Sequence, residues 1–474
     1  MQVEDEYYND PEFLELLEEY EQAEQTGMPV FMDAEDLADI AGYYQSAGRP
    51  DDAQKAIEKA LEQDPESETA LIYKVHEALD AEVPDVQLAQ DYLDRIYNKD
   101  LPEYVYCQAE IFIVQDKPDE ADKYLRKCLA DVPPDEYQDY VLDVANIYSD
   151  YGLNELAMQW MMRARHDNSE DFQELMARTL FGLGKYDDCE RIFTDLIDKN
   201  PFQKRYWNAL ASTQFMKEEY DASIASSEYA IAIDPDDPEG LVSKANGLYR
   251  LGNYKEALKY FERYSKQVPD DEFGLLHQGT CLVNLDRRDE AIERLKEAEA
   301  IAPDDSPYLA DIYQELGFAY SEAGMLNLAL EYIDKTKDLD CDHIDMLVIR
   351  GHILLSNNRR AEAEQMFKKA IYMSDSAPDT LLRIIISMFD NGYAETAYAT
   401  FKRFFEITEE GYDKGYSYMA LCCWELDKTD EFMVYLKLAC EKNPQEAQLV
   451  LASLFPDGLK VDDYYNYMKE DLKK

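Results

Sequence analysis

This sequence predicts an all-α fold built as an array of stacked helix pairs. Proline recurs at a fixed interval of 34 residues, at Pro201, Pro235, Pro269 and Pro303. Each closes a helical pattern, such as Ala230-Ile231-Ala232-Ile233-Asp234-Pro235 or Glu299-Ala300-Ile301-Ala302-Pro303. Upstream of each lie two amphipathic helical stretches, so the repeat unit is a helix pair. Gly and Pro are sparse, 18 each in 474 residues, which argues against a turn-rich all-β chain. Length alone suggests about three domains. The repeat replaces that expectation with one array in which each unit packs on its neighbours.

The clearest first helix reads Tyr313-x2-Leu316-Gly317-x2-Tyr320, and the clearest second helix reads Tyr254-Lys255-Glu256-Ala257-x3-Phe261. This resembles the tetratricopeptide repeat family, whose pattern is an aromatic, x2, Leu-Gly, x2, Tyr, then Ala, Phe, Ala and Pro. The resemblance implies a right-handed α-solenoid superhelix of antiparallel helix pairs. With the closing proline at position 32, about twelve copies align, starting at Ala34, Ala70, Pro102, Gln138, Glu170, Lys204, Pro238, Glu272, Ala310, Ile344, Pro378 and Asp413. Position 8 is Ala or Gly in ten of the twelve, and position 20 is small in eleven. Position 24 is large and apolar except at Ser227. Packing explains the pattern, because helices approach to the near end of roughly 8–10 Å only over small side chains. A large residue on the facing helix then fills the gap. Repeat 70–101 fits worst: Glu77 occupies a small-residue site, and Val83-Pro84-Asp85 falls between its helices.

Three segments follow: an acidic N-terminal segment with a capping helix at 1–33, the repeats at 34–445, and C-terminal capping helices at 446–474. Asp10-Pro11 reads as an N-cap with first-turn proline. Phe13, Leu16, Leu17 and Tyr20 form one stripe of a helix over 11–25 that Gly27 stops. A first helix at 446–454 continues the register, Pro456-Asp457-Gly458 breaks it, and 461–472 closes the array.

The chain carries 101 Asp and Glu against 47 Lys and Arg, a formal charge of −54. Nucleic acid and anionic membrane surfaces would repel such an anion. The opening residues lack a basic segment followed by an apolar one, and no apolar run approaches the roughly 18 residues of a membrane helix. Eight cysteines without a CxxC suit a reducing, cytoplasmic setting.

No catalytic, cofactor or metal motif emerges. The five histidines, His76, His166, His277, His343 and His352, show no pairing at metal-ligand spacing. Cys128 and Cys189 take positions where the family places Ala, and neighbours Cys422 and Cys423 point about 100° apart on a helix, which disfavours a shared bond. The run from Asp234 to Glu239 fails as a calcium loop, because Pro238 takes a ligand position and Glu239 stands where Gly is needed. Gly182-Leu183-Gly184 lies between helices rather than after a strand. A non-enzymatic protein is the reading.

The resemblance places positions 2, 5, 9, 12 and 13 of the first helices on a concave groove. Carried over, those positions put Asn208, Phe215, Asn246, Tyr249, Phe273, Phe318, His352, Phe389 and Trp424 in the lining. Rings bury apolar side chains and amides satisfy backbone groups, so the groove suits a peptide or protein segment with apolar anchors. Position 2 is acidic in eight repeats, a preference that helix dipoles explain at roughly 0.3–1 kcal/mol each. The net charge turns partner choice towards basic segments. A carboxylate clamp for acidic chaperone tails needs Lys at position 5, where Leu142 and Val242 stand, so the clamp is missing. The reading is a scaffold or adaptor that holds a peptide in its groove. The alternative is an acidic, charge-driven binder or chaperone of basic proteins.

Overall fold

A computed structural model describes residues 8, 10–26, 32–81, 83–164, 167–408, 411–456 and 458–472. Gly27, His166 and Asp457 lie outside them. Among the described residues the regular structure is helical, with no strand. The chain divides into two compact units, residues 1–192 and 193–474. Each is an all-α solenoid of consecutive helix pairs.

The first unit opens with helix Pro11–Thr26, followed by the pairs Ala34–Ser46 with Pro50–Gln63, Glu68–Leu79 with Val86–Leu93, Pro102–Val114 with Pro118–Cys128, and Tyr137–Asp150 with Asn154–Met161. Glu170–Gly182 ends it, and Tyr186–Lys199 carries the division between units. The second unit continues with Lys204–Met216 and Tyr220–Ile233, Pro238–Arg250 and Tyr254–Gln267, Glu272–Asn284 and Arg288–Ile301, and Leu309–Glu322 and Leu326–Lys335. His343–Ser356 and Arg360–Met373, Pro378–Asp390 and Ala394–Ile407, and Tyr416–Glu425 and Thr429–Lys442 complete its pairs. Pro444–Leu451 and Val461–Asp471 follow.

The small and large positions meet as packing requires. A Cβ added at Gly279, Gly317 or Gly351, all at position 8, would lie 2.4, 2.7 and 2.3 Å from Leu295, Ile333 and Phe367, the position-24 residues of the same pairs. Ala, Cys or Ser at position 20 is fully buried throughout, and so is Phe432, which takes that place in the last pair. Side-chain oxygens of Asp33, Ser67, Asp237, Asp271 and Asp342 cap the first helices that follow them. The turn inside each pair repeats too. Position 15 has φ between 56° and 81° at Gly48, Asp116, Gly152, Gly184, Glu218, Gly252, Asp286, Gly324, Asn358, Gly392 and Asp427. Gly, Asn and Asp tolerate that left-handed conformation, and Glu218 is the exception in side-chain type.

The second pair departs from the sequence register. Its first helix begins at Glu68, two residues earlier than the pattern from Ala70. Leu71, Lys74, Val75 and Ala78 are buried there, matching Leu37, Ile40, Ala41 and Tyr44 of the pair before. Val75, not Glu77, therefore takes the close-approach site, and Glu77 is exposed. The extra residues sit in the turn before Val86, and a short second helix, Val86–Leu93, restores the spacing. The last pair also starts late, at Tyr416 rather than Asp413. Gly415 precedes it at φ 87°, and the Glu446 carboxylate accepts from Gly415 N at 2.9 Å and Ser417 N at 3.2 Å. A neighbouring helix thus supplies the missing cap.

At the N-terminal end, Phe13, Leu17 and Tyr20 are buried. The ring of Phe13 lies 5.6 Å from Tyr43, and Tyr20 lies 6.2 Å from Tyr44. The helix Pro11–Thr26 has no basic residue in its last turn, and its outer face is acidic.

Candidate functional site

In the second unit the first helices form a layer of their own. Leu309–Glu322 packs on His343–Ser356, which packs on Pro378–Asp390, and Lys204–Met216 meets Pro238–Arg250. Each second helix instead meets its own partner and the next first helix. The first helices therefore form one layer, and positions 2, 6, 9 and 13 of a helix share one stripe, at spacing four, three, four.

The structure separates the nine residues expected in the lining by their burial and contacts. Asn208 is 1% exposed and ties two repeats together. Its amide Nδ2 donates to Asp237 at 2.7 Å and Glu239 at 3.1 Å. Phe389 is 7% exposed and belongs to the apolar core around Phe401 and Phe432. Neither presents its side chain to a ligand. Trp424, 38% exposed, lies 5.0 Å from the Phe432 ring at the far end. Phe215, Asn246, Tyr249, Phe273, Phe318 and His352 are half-buried.

Two clusters come together. Tyr249 sits edge-on to Tyr254 at 5.3 Å and 6.1 Å from His277, and His277 stacks on Phe273 at 4.0 Å. His277 Nδ1 lies 3.0 Å from the Phe273 carbonyl. In the second cluster, Phe318 lies edge-on to His352 at 5.7 Å. His352 Nδ1 meets Ser387 Oγ at 2.9 Å and Asn391 Nδ2 at 3.4 Å on the next first helix. Burial lowers the pKa of both His277 and His352, which favours the neutral imidazole. Phe215 packs edge-on to Tyr220 at 5.4 Å, and Arg250 Nε donates to the Tyr220 hydroxyl at 3.2 Å.

Carboxylates stand among these rings. Burial, with Asp311 and Glu322 nearby, lifts the Glu315 carboxyl to about 7. Burial and the Glu315 charge lift the Tyr249 phenol to about 12, so Glu315 acts across to the repeat that holds Tyr249. Burial also raises Glu239, Asp311 and Asp345, and it raises Asp390 to about 6 with help from Glu425. The position-2 acids also stitch neighbouring repeats. Glu35 accepts from Ser67 at 3.0 Å, Asp345 pairs with Arg383 at 2.5 Å, and Asp379 accepts from the Tyr412 hydroxyl at 2.8 Å.

His277 and Glu315 join these clusters, although the family positions do not include them. Both stand at position 6, one residue beyond position 5. Their signal in the sequence was the stripe through positions 2, 6 and 9, which helical spacing alone would have drawn.

Residues 37–67, 175–238, 242–306 and 344–376 match the tetratricopeptide repeat family. No curated protein matches the chain significantly. Among solved structures, a tetratricopeptide repeat protein from Parabacteroides merdae is 12% identical, with TM-score 0.41, over 52% of this chain and 97% of its own. PilW, a type IV pilus biogenesis factor, is 19% identical, with TM-score 0.40, over 44% of this chain and 96% of its own. The Cut9-Hcn1 structure of the APC/C is 14% identical, with TM-score 0.39, over 79% of this chain and 73% of its own. No helix among the described residues is long and apolar enough to cross a membrane. The matched segments fall on these helix pairs, and on that ground the chain carries tetratricopeptide repeats.

Proposed function

We propose that the first-helix face of the second unit binds a protein segment that carries apolar anchors flanked by Lys or Arg. One observation carries the reading: half-buried rings alternate with carboxylates whose charge is poorly compensated. Tyr249, Phe273 and His277 stand with Glu315, and Phe318 follows Glu315 by three residues on the same helix. A purely structural packing layer gains nothing from carboxyls raised by burial, whereas a cationic side chain placed between the rings would relieve them. The rings supply apolar area, and the paired aromatic faces also accept cations. Eight free thiols fit a reducing compartment such as the cytoplasm.

The test is a displayed peptide library selected on the full chain. Selected sequences should converge on aliphatic or aromatic residues next to Lys or Arg. Substituting Phe215→Ser, Tyr249→Ser and Phe318→Ala together should weaken binding at unchanged helicity, since these rings are half-buried rather than core. Affinity untouched by the triple substitution excludes this face.

The net charge of −54 favours a second reading, a charge-driven binder of basic proteins. Salt separates the two. Charge-driven binding should collapse between roughly 0.05 and 0.5 M salt, and anchored binding should persist.

A further inference from the structure

We propose that His76, Cys107 and Glu110, in the first unit, form a binding site for a zinc-like divalent cation. The sequence separates His76 from Cys107 by a whole repeat, and the fold joins them. Counted from Glu68, where its helix begins, His76 stands at position 9 of the second repeat. Cys107 and Glu110 stand at positions 6 and 9 of the third, on helix Pro102–Val114, three residues apart on one helix face. One ligand atom from each residue lies within 4.8 Å of the other two. His76 Nε2 is 3.6 Å from Cys107 Sγ, and His76 Nδ1 is 3.4 Å from Glu110 Oε2. Tetrahedral zinc with its usual bond lengths spaces such atoms roughly 3.3–3.6 Å apart. The ring now offers a different nitrogen to each neighbour, and a turn of the imidazole brings one nitrogen to face both.

A second observation points to a cation. Glu110 Oε2 is buried and has no hydrogen-bond partner. Asp80 and Asp150 both act on Glu110 by their negative charge. The His76 side chain is 43% exposed, which gives an ion a path from solvent, while Cys107 and most of Glu110 are enclosed. Thiol, imidazole and carboxyl together select zinc-like ions over magnesium or calcium, which prefer oxygen alone. Binding forms metal–S, metal–N and metal–O bonds. It releases the thiol proton of Cys107, and any proton on Glu110, to solvent, with no electron transferred. Asp80, whose charge acts on both His76 and Glu110, adds negative charge beside the trio.

The test uses the full chain, reduced and stripped with a chelator, titrated with Zn2+ and separately with Co2+. One Zn2+ per chain should bind, with proton release. The Co2+ form should show a thiolate-to-cobalt charge-transfer absorption. Cys107→Ser and His76→Ala should each weaken binding roughly tenfold or more. Cys341→Ser, at a thiol 3.7 Å from His343 but outside this trio, should leave binding unchanged. His76→Ala acts at a half-exposed side chain, so it keeps the test valid if Cys107→Ser fails to fold. Absence of Zn2+ binding, binding unaltered by the variants, or Co2+ bound without the thiolate band would each overturn the site.

Discussion

At the scale of single residues, the molecule is governed by close approach and by burial of charge. Gly351 is the sharpest case. Its helix would ordinarily gain about 1 kcal/mol from Gly→Ala. Here the new Cβ would stand 2.3 Å from the Phe367 ring, which is buried and cannot withdraw. Gly351→Ala should therefore cost about 1–3 kcal/mol, and a second change, Phe367→Leu, should recover part of that loss. Chemical denaturation of the three variants measures it. Glu315 makes the second prediction. Its folded pKa of about 7 lies above the ordinary value of 4.5. The stability it contributes is fully present below pH 4.5 and is lost as pH rises through about 7. Glu315→Gln should thus melt higher than the parent at pH 8, by an amount on the order of 1–3 kcal/mol, and equal it near pH 4.5. An equal shift at both pH values would refute burial of the charge as the cause. His277, Glu315 and the trio of His76, Cys107 and Glu110 were not legible as sites. A one-position offset hid the first two, and the two-residue slip of the second repeat placed His76 off the inner stripe.

At the scale of elements, the helix pair was legible because its packing sites are pinned by geometry. Small residues at positions 8 and 20 and a large one at 24 follow from interhelix distance, so spacing alone located them. The second pair shows the limit. Its turn is longer and its second helix shorter, and a single closing proline cannot report where the extra residues lie. Burial decides the matter and makes a prediction. Val75→Glu should destabilise by several kcal/mol, because it buries a charge at the close-approach site, while Glu77→Ala should stay within about 0.5 kcal/mol. The reverse pattern would restore the register from Ala70. The intrapair turn adds another. Glu218 holds φ at 62° where six other pairs use Gly. Glu218→Gly should stabilise the chain by about 0.5–1 kcal/mol, seen as a higher melting temperature. Exposure on the inner face was less legible than packing, because it depends on how neighbouring repeats overlap. Asn208 and Phe389 look alike in sequence to Asn246 and Phe318, yet the first two are taken up between helices.

At the scale of the whole molecule, the proposed partner follows from charge and the proposed surface from the repeats. A net charge of −54 opposes anionic partners at long range. Bulk charge was fully legible in the composition. Its concentration among half-buried rings was not, because it needs the fold to bring Glu315 within reach of Tyr249. Hydrogen exchange on the full chain, with and without a selected peptide, tests the central claim most directly. The account predicts added protection in helices Pro238–Arg250, Glu272–Asn284 and Leu309–Glu322, with the second helix Arg360–Met373 and its exposed Tyr372 unchanged. Protection confined to second helices, or spread evenly over the acidic surface, would contradict it.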